Sequence, residues 1–152
     1  MSITLDLQVI TTDQQIPELD QIQQWLDAAL LPEHDNIELT IRIVDKIESQ
    51  TLNHQYRGID KATNVLSFPF EVPEGITLNL LGDLVICAEI VANEAQQQHK
   101  TFTEHWAHMV IHGCLHLLGY DHIDDNDAEE MENLEIDILS KLGFNNPYIQ
   151  IN

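Results

Sequence analysis

The histidine-rich segment from His112 to His122 constrains this chain more than any other part of its sequence. His112 and His116 are four residues apart, so on a helix they lie on one face and can both point at one ion. Gly119 can end that helix, because glycine enters the left-handed conformation without a side-chain penalty, and the chain can then return His122 to the same point. Three imidazoles leave a fourth tetrahedral position for water, which is typical of a catalytic zinc site. The segment therefore predicts metal ligands at His112, His116 and His122.

The spacing matches the histidines and the glycine of the extended zinc-protease pattern H-E-x-x-H-x-x-G-x-x-H. Gly113 stands where that pattern has the glutamate that takes a proton from the metal-bound water. The segment thus predicts a metal and argues against peptidase chemistry. The ligand choice stays open, since a pair such as His108 and His112 lies on the same helical stripe and could also bind. His105 and His108 are otherwise expected to extend the cleft or to be partly buried.

Length and composition favour a single domain, residues 1–152, with its own hydrophobic core. No apolar run reaches the roughly 18 residues of a membrane span, and the N-terminus lacks the features of a secretory signal. Cys87 and Cys114 do not suggest a disulfide framework and are expected to be small buried residues. We therefore expect a cytoplasmic protein that has no membrane partner.

The chain is strongly acidic, with 26 acidic and 6 basic residues and a formal net charge of −20. Taken alone, this charge argues against binding nucleic acid, so no DNA partner is expected, and it favours a basic protein partner. Arg57 and Lys61 lie close together in the sequence and could form a local positive site. The acid-rich segment after residue 123 is either a solvated helix face over a packed stripe or a docking surface for a basic protein.

Alternating and helical patterns of apolar residues predict a mixed order of strands and helices. Strands are predicted over residues 3–10, 37–44, 64–70 and 81–88. Helices are predicted over residues 17–30, 45–56, 90–100 and 103–118, and from a cap at Asp124 or Asp125 to residue 142, before Gly143.

Taken together, three segments resemble the YbeY family of bacterial endoribonucleases, which are known as ribosomal RNA maturation factors. Residues 112–122 match the family motif H-G-x-L-H-L-x-G-Y-D-H throughout, and residues 56–69 and 81–87 match two supporting segments. The order and spacing of these segments agree with the family across nearly the whole chain. The chain departs from the family at Ala62, where proline is usual, and at Asn64, where aspartate is frequent.

The resemblance implies an α+β fold, in which helices pack a small mixed four-stranded sheet beside a metal cleft related in shape to that of metalloproteases. It implies a metal-dependent, single-strand-specific endoribonuclease that acts in 3′ end maturation of 16S ribosomal RNA and in ribosome quality control. The expected partners are ribosomal RNA and the small ribosomal subunit or a basic ribosomal protein. The family's ligands fall on His112, His116 and His122, holding one zinc ion or another divalent transition metal, and its functional arginine falls on Arg57.

The residues support this chemistry in outline, because a bound metal lowers the pKa of water and polarises a phosphoryl oxygen. Arg57 can meet two phosphate oxygens with its planar fork, and Asp83 and Asp121 are candidates to orient a ligand imidazole. The general base is not identified, so either the metal-bound hydroxide or the RNA 2′-OH can be the nucleophile. Two alternative functions are a metallohydrolase of another substrate class and a non-enzymatic ribosome-assembly factor with a structural metal.

Overall fold

A computed structural model describes residues 3–12, 15–31, 33–71, 74–75, 79–120 and 124–148 of this chain. Within these residues, strands and helices follow one another in the predicted order, and their ends differ from the predicted ones by three residues or fewer. The elements are β1 (Thr4–Val9), α1 (Leu19–Leu30), β2 (Glu38–Val44), α2 (Lys46–Arg57), β3 (Val65–Pro69), β4 (Leu80–Cys87), α3 (Ala88–Gln97), α4 (Phe102–Leu117) and α5 (Asp125–Lys141).

The four strands form one mixed sheet in the order β1-β2-β4-β3. β1, β2 and β4 are parallel, whereas β3 pairs antiparallel with β4, from Val65 opposite Ile86 to Pro69 opposite Gly82. β3 therefore forms one edge of the sheet. This architecture confirms the predicted α+β fold with a small mixed sheet packed by helices.

Helix α4 is the central helix of the core. It contacts α1, α3, α5 and both β3 and β4. Its residues are apolar on nearly all sides, and Trp106, Val110, Ile111 and Cys114 are fully buried. A helix that is apolar all round is normally buried, and close packing fixes its side chains in one arrangement. The histidines of α4 are therefore carried by a rigid element.

Local sequence determines where α4 begins and ends. Thr101 and Glu104 form a capping box, in which each side chain accepts a hydrogen bond from the backbone of the other. At the other end Gly119 has φ 102°, its N–H donates to His116 O, and Tyr120 N–H donates to Leu115 O. This is a Schellman motif, which confirms the prediction that Gly119 ends the helix.

The two cysteines are buried and unpaired thiols, as predicted. Burial raises the pKa of Cys114 to about 12, so its thiol is unreactive at neutral pH. In the part of the chain that the structure describes, no helix has both the length and the apolar character needed to cross a membrane.

Candidate metal centre and cleft

His112 and His116 lie one turn apart on α4 with their Nε2 atoms 3.0 Å apart. Nδ1 of His112 lies 2.6 Å from Glu135 Oε1, and Nδ1 of His116 lies 3.0 Å from the backbone oxygen of Tyr120. Because each Nδ1 faces an acceptor, the contacts favour the tautomer with the ring proton on Nδ1 and the lone pair on Nε2. The structure confirms that the two rings converge, as their spacing predicted.

This donor set fits a metal ion. Two nitrogen lone pairs that face each other at 3.0 Å repel unless a cation lies between them. Nitrogen ligands at the zinc distance of about 2.0–2.1 Å are separated by about 3.3 Å at a tetrahedral angle, close to the separation found here. The third predicted ligand, His122, and its neighbour Asp121 lie outside the described residues, so His122 stays a prediction.

A second group of side chains could also hold a metal ion. His108, His112 and Glu135 each offer one ligand atom, and these atoms lie within 4.8 Å of one another. Nδ1 is the His112 nitrogen that faces Glu135 of this group, and Nε2 is the one that faces His116. However, Glu135 lies only 2.6 Å from each histidine nitrogen, a distance typical of charge-assisted hydrogen bonds and shorter than the spacing of ligands around an ion.

The other two histidines of α4 are buried rather than exposed to the cleft. His105 is 2% exposed and its Nε2 lies 2.9 Å from Glu94 Oε1, while His108 is 7% exposed. Burial lowers the pKa of His108, although hydrogen bonding to Glu135 opposes the shift. A neutral His108 ring therefore donates its Nε2–H to Glu135. His105 and His108 do not line the cleft, so their interpretation as an extension of it is wrong, and both are buried more completely than the alternative interpretation predicted.

The histidine pair opens into a cleft of about 860 Å³ between the end of α2, the edge strand β3 and the end of α4. Arg57 is the last residue of α2, and Gly58, with φ 73°, ends that helix in the left-handed conformation. The cleft is lined by Tyr56, Arg57, residues 63–69, His112, His116, Gly119 and Tyr120. The structure thus brings Arg57 into the same cleft as His112 and His116.

Arg57 and Lys61 differ from the other basic residues in their contacts. Arg42, Lys46 and Lys141 form ion pairs with Glu48, Glu89 and Asp137, and Lys100 donates to the carbonyl of Pro147. Among the contacts of the described residues, neither Arg57 nor Lys61 has an ion pair or a side-chain hydrogen bond. Arg57 and Lys61 can therefore contact an anionic ligand, and they lie at and just beyond the end of α2 that borders the cleft.

The comparison with known sequences decides the family. A family model described as "Endoribonuclease YbeY" matches residues 7–143. This chain belongs to the YbeY family. A curated relative from Colwellia psychrerythraea, named Endoribonuclease YbeY, is 59% identical over 155 aligned positions, covering 99% of each chain. The solution structure of TM1509 from Thermotoga maritima is similar, with a TM-score of 0.59, 25% identity, and coverage of 90% of this chain and 91% of that one.

The family motif has glycine where zinc proteases have their glutamate, and the packing of Gly113 gives a reason. A Cβ at this position would lie 2.8 Å from Cδ2 of Leu84, a buried residue of β4. The Gly113 carbonyl also accepts a hydrogen bond from Ser67 Oγ of β3 at 3.3 Å. A side chain at position 113 would therefore point toward the sheet and push α4 away from it.

Asn64, which departs from the aspartate frequent in the family, contacts Glu94. Its Nδ2 lies 3.1 Å from Glu94 Oε1, and its Oδ1 accepts from the backbone N–H of Val65. An aspartate here would place two carboxylates together, whereas the asparagine amide donates to Glu94. The departure therefore changes the polarity of the loop before β3 without affecting the histidine pair.

Glu135 is the site residue that sequence reasoning missed. The sequence suggested a solvated acidic face for α5, but Glu135 is 0% exposed and contacts both His108 and His112. It lies four residues after buried Met131 and three before buried Ile138, on the apolar stripe of α5. This spacing in the sequence could have indicated that Glu135 is buried. The predicted orienting residue Asp83 lies exposed on β4, and Glu135 is the carboxylate that contacts His112.

Proposed function

We propose that this protein, as a single domain of residues 1–152, is a metal-dependent endoribonuclease that cleaves single-stranded RNA. The observation that carries the proposal is the placement of His112, His116 and Arg57 in one cleft. Membership of the YbeY family and the relative named Endoribonuclease YbeY support a hydrolytic nuclease. Zinc is the proposed ion, since imidazole nitrogens suit it, although they also suit nickel and copper.

The residues of this chain divide the chemistry between them. His112 and His116, with His122 as the proposed third ligand, would hold an ion that lowers the pKa of water and polarises a phosphoryl oxygen. Arg57 would donate two parallel hydrogen bonds to the oxygens of the scissile phosphate, on which negative charge increases during hydrolysis. The rigid packing of α4 supports this role, because it holds the ligand rings in place before the substrate binds.

The cleft wall offers a contact suited to unpaired bases. Tyr56 is 60% exposed and packs edge-on against Phe68, with the ring centroids 5.0 Å apart. Proteins that bind single-stranded RNA stack splayed bases on aromatic rings of this kind. We therefore propose Tyr56 as a stacking platform beside the Arg57 phosphate contact. The net charge of −20 would repel RNA from most of the remaining surface and favour binding at the cleft.

The biological role is proposed from the family resemblance. We propose 3′ end maturation of 16S ribosomal RNA and ribosome quality control, which would place the activity in the cytoplasm. The small ribosomal subunit, or a basic ribosomal protein on the exposed acids of α5, is the proposed partner. Gly113 argues against peptidase activity, because it supplies no carboxylate to act as general base.

The experiment uses the purified full chain. Elemental analysis is expected to find about one transition-metal ion per chain. Single-stranded RNA should be cleaved by the metal-loaded protein and not after chelation, and duplex RNA should be cleaved poorly. His116→Ala should lose most of the metal and the cleavage, whereas His54→Ala, at an exposed position of α2, should keep both.

Three results would contradict the proposal. If His116→Ala keeps stoichiometric metal, the ligand assignment is wrong. If chelation leaves the cleavage rate unchanged, the metal does not take part in the reaction. If the metal-loaded protein binds the small ribosomal subunit but cleaves no RNA, the protein is an assembly factor and not a nuclease.

A further inference from the structure

Among the residues that the structure describes, Glu135 is a buried carboxylate that has no lysine or arginine partner. It is 0% exposed on α5, a helix whose other acids face the solvent or lie at its margin. A buried charge is strongly unfavourable unless it is hydrogen-bonded, so its contacts need an explanation.

Both oxygens of Glu135 are engaged by neighbouring side chains. Oε1 lies 2.6 Å from Nδ1 of His112, and Oε2 lies 2.6 Å from Nε2 of His108 and accepts from the hydroxyl of Tyr148. Tyr148 OH also lies 3.3 Å from His108 Nε2. The carboxylate is therefore fixed by two successive turns of α4 and by the segment that follows α5.

We propose that Glu135 is a positioning residue, which accepts the Nδ1 proton of His112 and thereby holds Nε2 of that ring toward His116 in the cleft. The proton on Nδ1 excludes the tautomer in which Nε2 is protonated and cannot bind a metal. His108 and Tyr148 act through Glu135, because they hold its other oxygen and keep the carboxylate from rotating. This proposal rests on the proposed function only in taking His112 as a metal ligand.

The competing interpretation is that His108, His112 and Glu135 hold the ion themselves. The two interpretations differ in which ring nitrogen of His112 binds the ion and in whether His116 takes part. If Glu135 positions His112, loss of Glu135 weakens the binding of zinc and loss of His116 removes a ligand. If the three residues form the metal cage, His116 is dispensable for binding.

The tautomer of His112 can be measured in the metal-free wild-type protein. In long-range ¹H–¹⁵N spectra of the histidine side chains near neutral pH, Nδ1 of His112 is expected to be protonated and Nε2 unprotonated. Glu135→Leu, which removes both acceptors but keeps most of the volume, should shift His112 toward the Nε2–H tautomer. A His112 ring with Nε2 protonated in the wild-type protein would overturn the proposal.

Zinc affinity is measured by competition with a chromophoric chelator, with circular dichroism as the control for folding. Glu135→Leu is expected to weaken zinc binding about 10–100-fold, the range found for residues that orient metal ligands. Glu135→Gln should lose less, because the amide oxygen can still accept from His112. Glu130→Gln, at an exposed position on the same helix, should bind as the wild type does.

The remaining outcomes separate this proposal from the proposed function. Unchanged zinc affinity in a folded Glu135→Leu protein with an unchanged His112 tautomer would overturn the positioning role. Zinc binding that survives His116→Ala but is lost in His108→Leu and Glu135→Leu would establish the cage and also overturn it. A protein with the expected tautomer and affinities that cleaves no RNA would support the positioning role and refute the proposed nuclease.

Discussion

At the scale of single residues, the four histidines of α4 differ in the partners of their ring nitrogens. His105 and His108 are buried against Glu94 and Glu135, whereas His112 and His116 bring their Nε2 atoms together at 3.0 Å. All four lie on one helical stripe, so the difference comes from the elements packed over each turn. Only the last two turns border the cleft, and only there can a ring meet an ion that is accessible from outside.

Arg57→Lys is expected to be a severe change although the charge is kept. Lysine cannot reproduce two parallel hydrogen bonds to a phosphate, and the loss of one transition-state contact of this kind reduces the rate by about 10²–10³. The measurement is the rate of cleavage of single-stranded RNA by the metal-loaded variant beside wild type. Circular dichroism and metal content should be unchanged, because Arg57 is exposed at the end of α2.

Arg42→Lys is the matched control for this comparison. Arg42 binds Glu48 through two nitrogen atoms and does not line the cleft. Its replacement should leave the cleavage rate close to that of wild type. Equal rates for Arg57→Lys and wild type would remove Arg57 from the active site.

At the scale of elements, the approach of α4 to the sheet determines the position of the histidine pair. Gly113 lies between His112 and His116 on the side of α4 that meets β4, and Ser67 of β3 donates to its carbonyl. Because β3 also forms a wall of the cleft, this contact joins the helix that carries the rings to the strand beside the substrate.

Gly113→Ala is expected to destabilise the protein. Its Cβ would lie 2.8 Å from Cδ2 and 3.1 Å from Cδ1 of buried Leu84. Overpacking of this kind typically costs about 1–3 kcal/mol, and the higher helix propensity of alanine, worth about 1 kcal/mol, offsets only part of it. The free energy of unfolding is measured in urea for the metal-free proteins.

Leu84→Val provides the control, since valine lacks Cδ1 and Cδ2, the two Leu84 atoms that a Cβ at position 113 would approach. In this background Gly113→Ala should cost less than in the wild type, or should stabilise the protein through helix propensity. An equal cost in both backgrounds would show that the contact with Leu84 is not the cause.

At the scale of the whole molecule, contacts between histidines and buried or partly buried carboxylates join the helices around α4. Glu94 connects α3 to His105 of α4 and to Asn64 before β3, and Glu135 connects α5 to His108 and His112 of α4. Basic residues are scarce in this chain, so histidines and an asparagine provide the hydrogen-bond donors for these two carboxylates. This pattern makes the stability of the protein sensitive to acid.

Glu94→Gln is expected to destabilise the protein at neutral pH and to have less effect in acid. Burial raises the pKa of Glu94, but hydrogen bonds to His105 and Asn64 outweigh that effect and lower it. Because the pKa is lower in the folded state, ionised Glu94 stabilises the fold at every pH above its unfolded-state pKa of about 4.3. This stabilisation is lost as the pH falls from that value through the folded-state pKa. Hydrogen bonds to a charged group contribute about 1.5–3 kcal/mol, the scale of the expected loss.

Urea unfolding of the metal-free proteins from pH 7 to pH 3 tests this expectation. The difference in unfolding free energy between wild type and Glu94→Gln should shrink below about pH 4.3. Glu89→Gln removes the same charge from an exposed ion pair with Lys46 and should cost less than about 1 kcal/mol. A difference that stays constant down to pH 3 would mean that the pKa of Glu94 is not lowered.

Features that depend on neighbours along the chain could be predicted from the sequence. The convergence of His112 and His116 follows from helical geometry, and the end of α4 follows from the conformational freedom of Gly119. The first two strands were recognised because alternating burial leaves a period of two in the sequence, and the last two because they are short apolar runs. The family motif extended this prediction to Arg57, and the structure brings that residue into the cleft with the histidine pair.

Features that depend on contacts between distant elements were decided only by the tertiary structure. Glu135 is 23 residues from His112 and reaches it because α5 packs against α4. Its position on the apolar stripe of α5 indicates that it is buried, but the sequence does not show which side chain its carboxylate contacts. The burial of His105 and His108 was settled in the same way, because α3 and α5 cover their turns of α4. Local geometry thus determined which rings can converge on an ion, and long-range packing determined which carboxylate contacts His112.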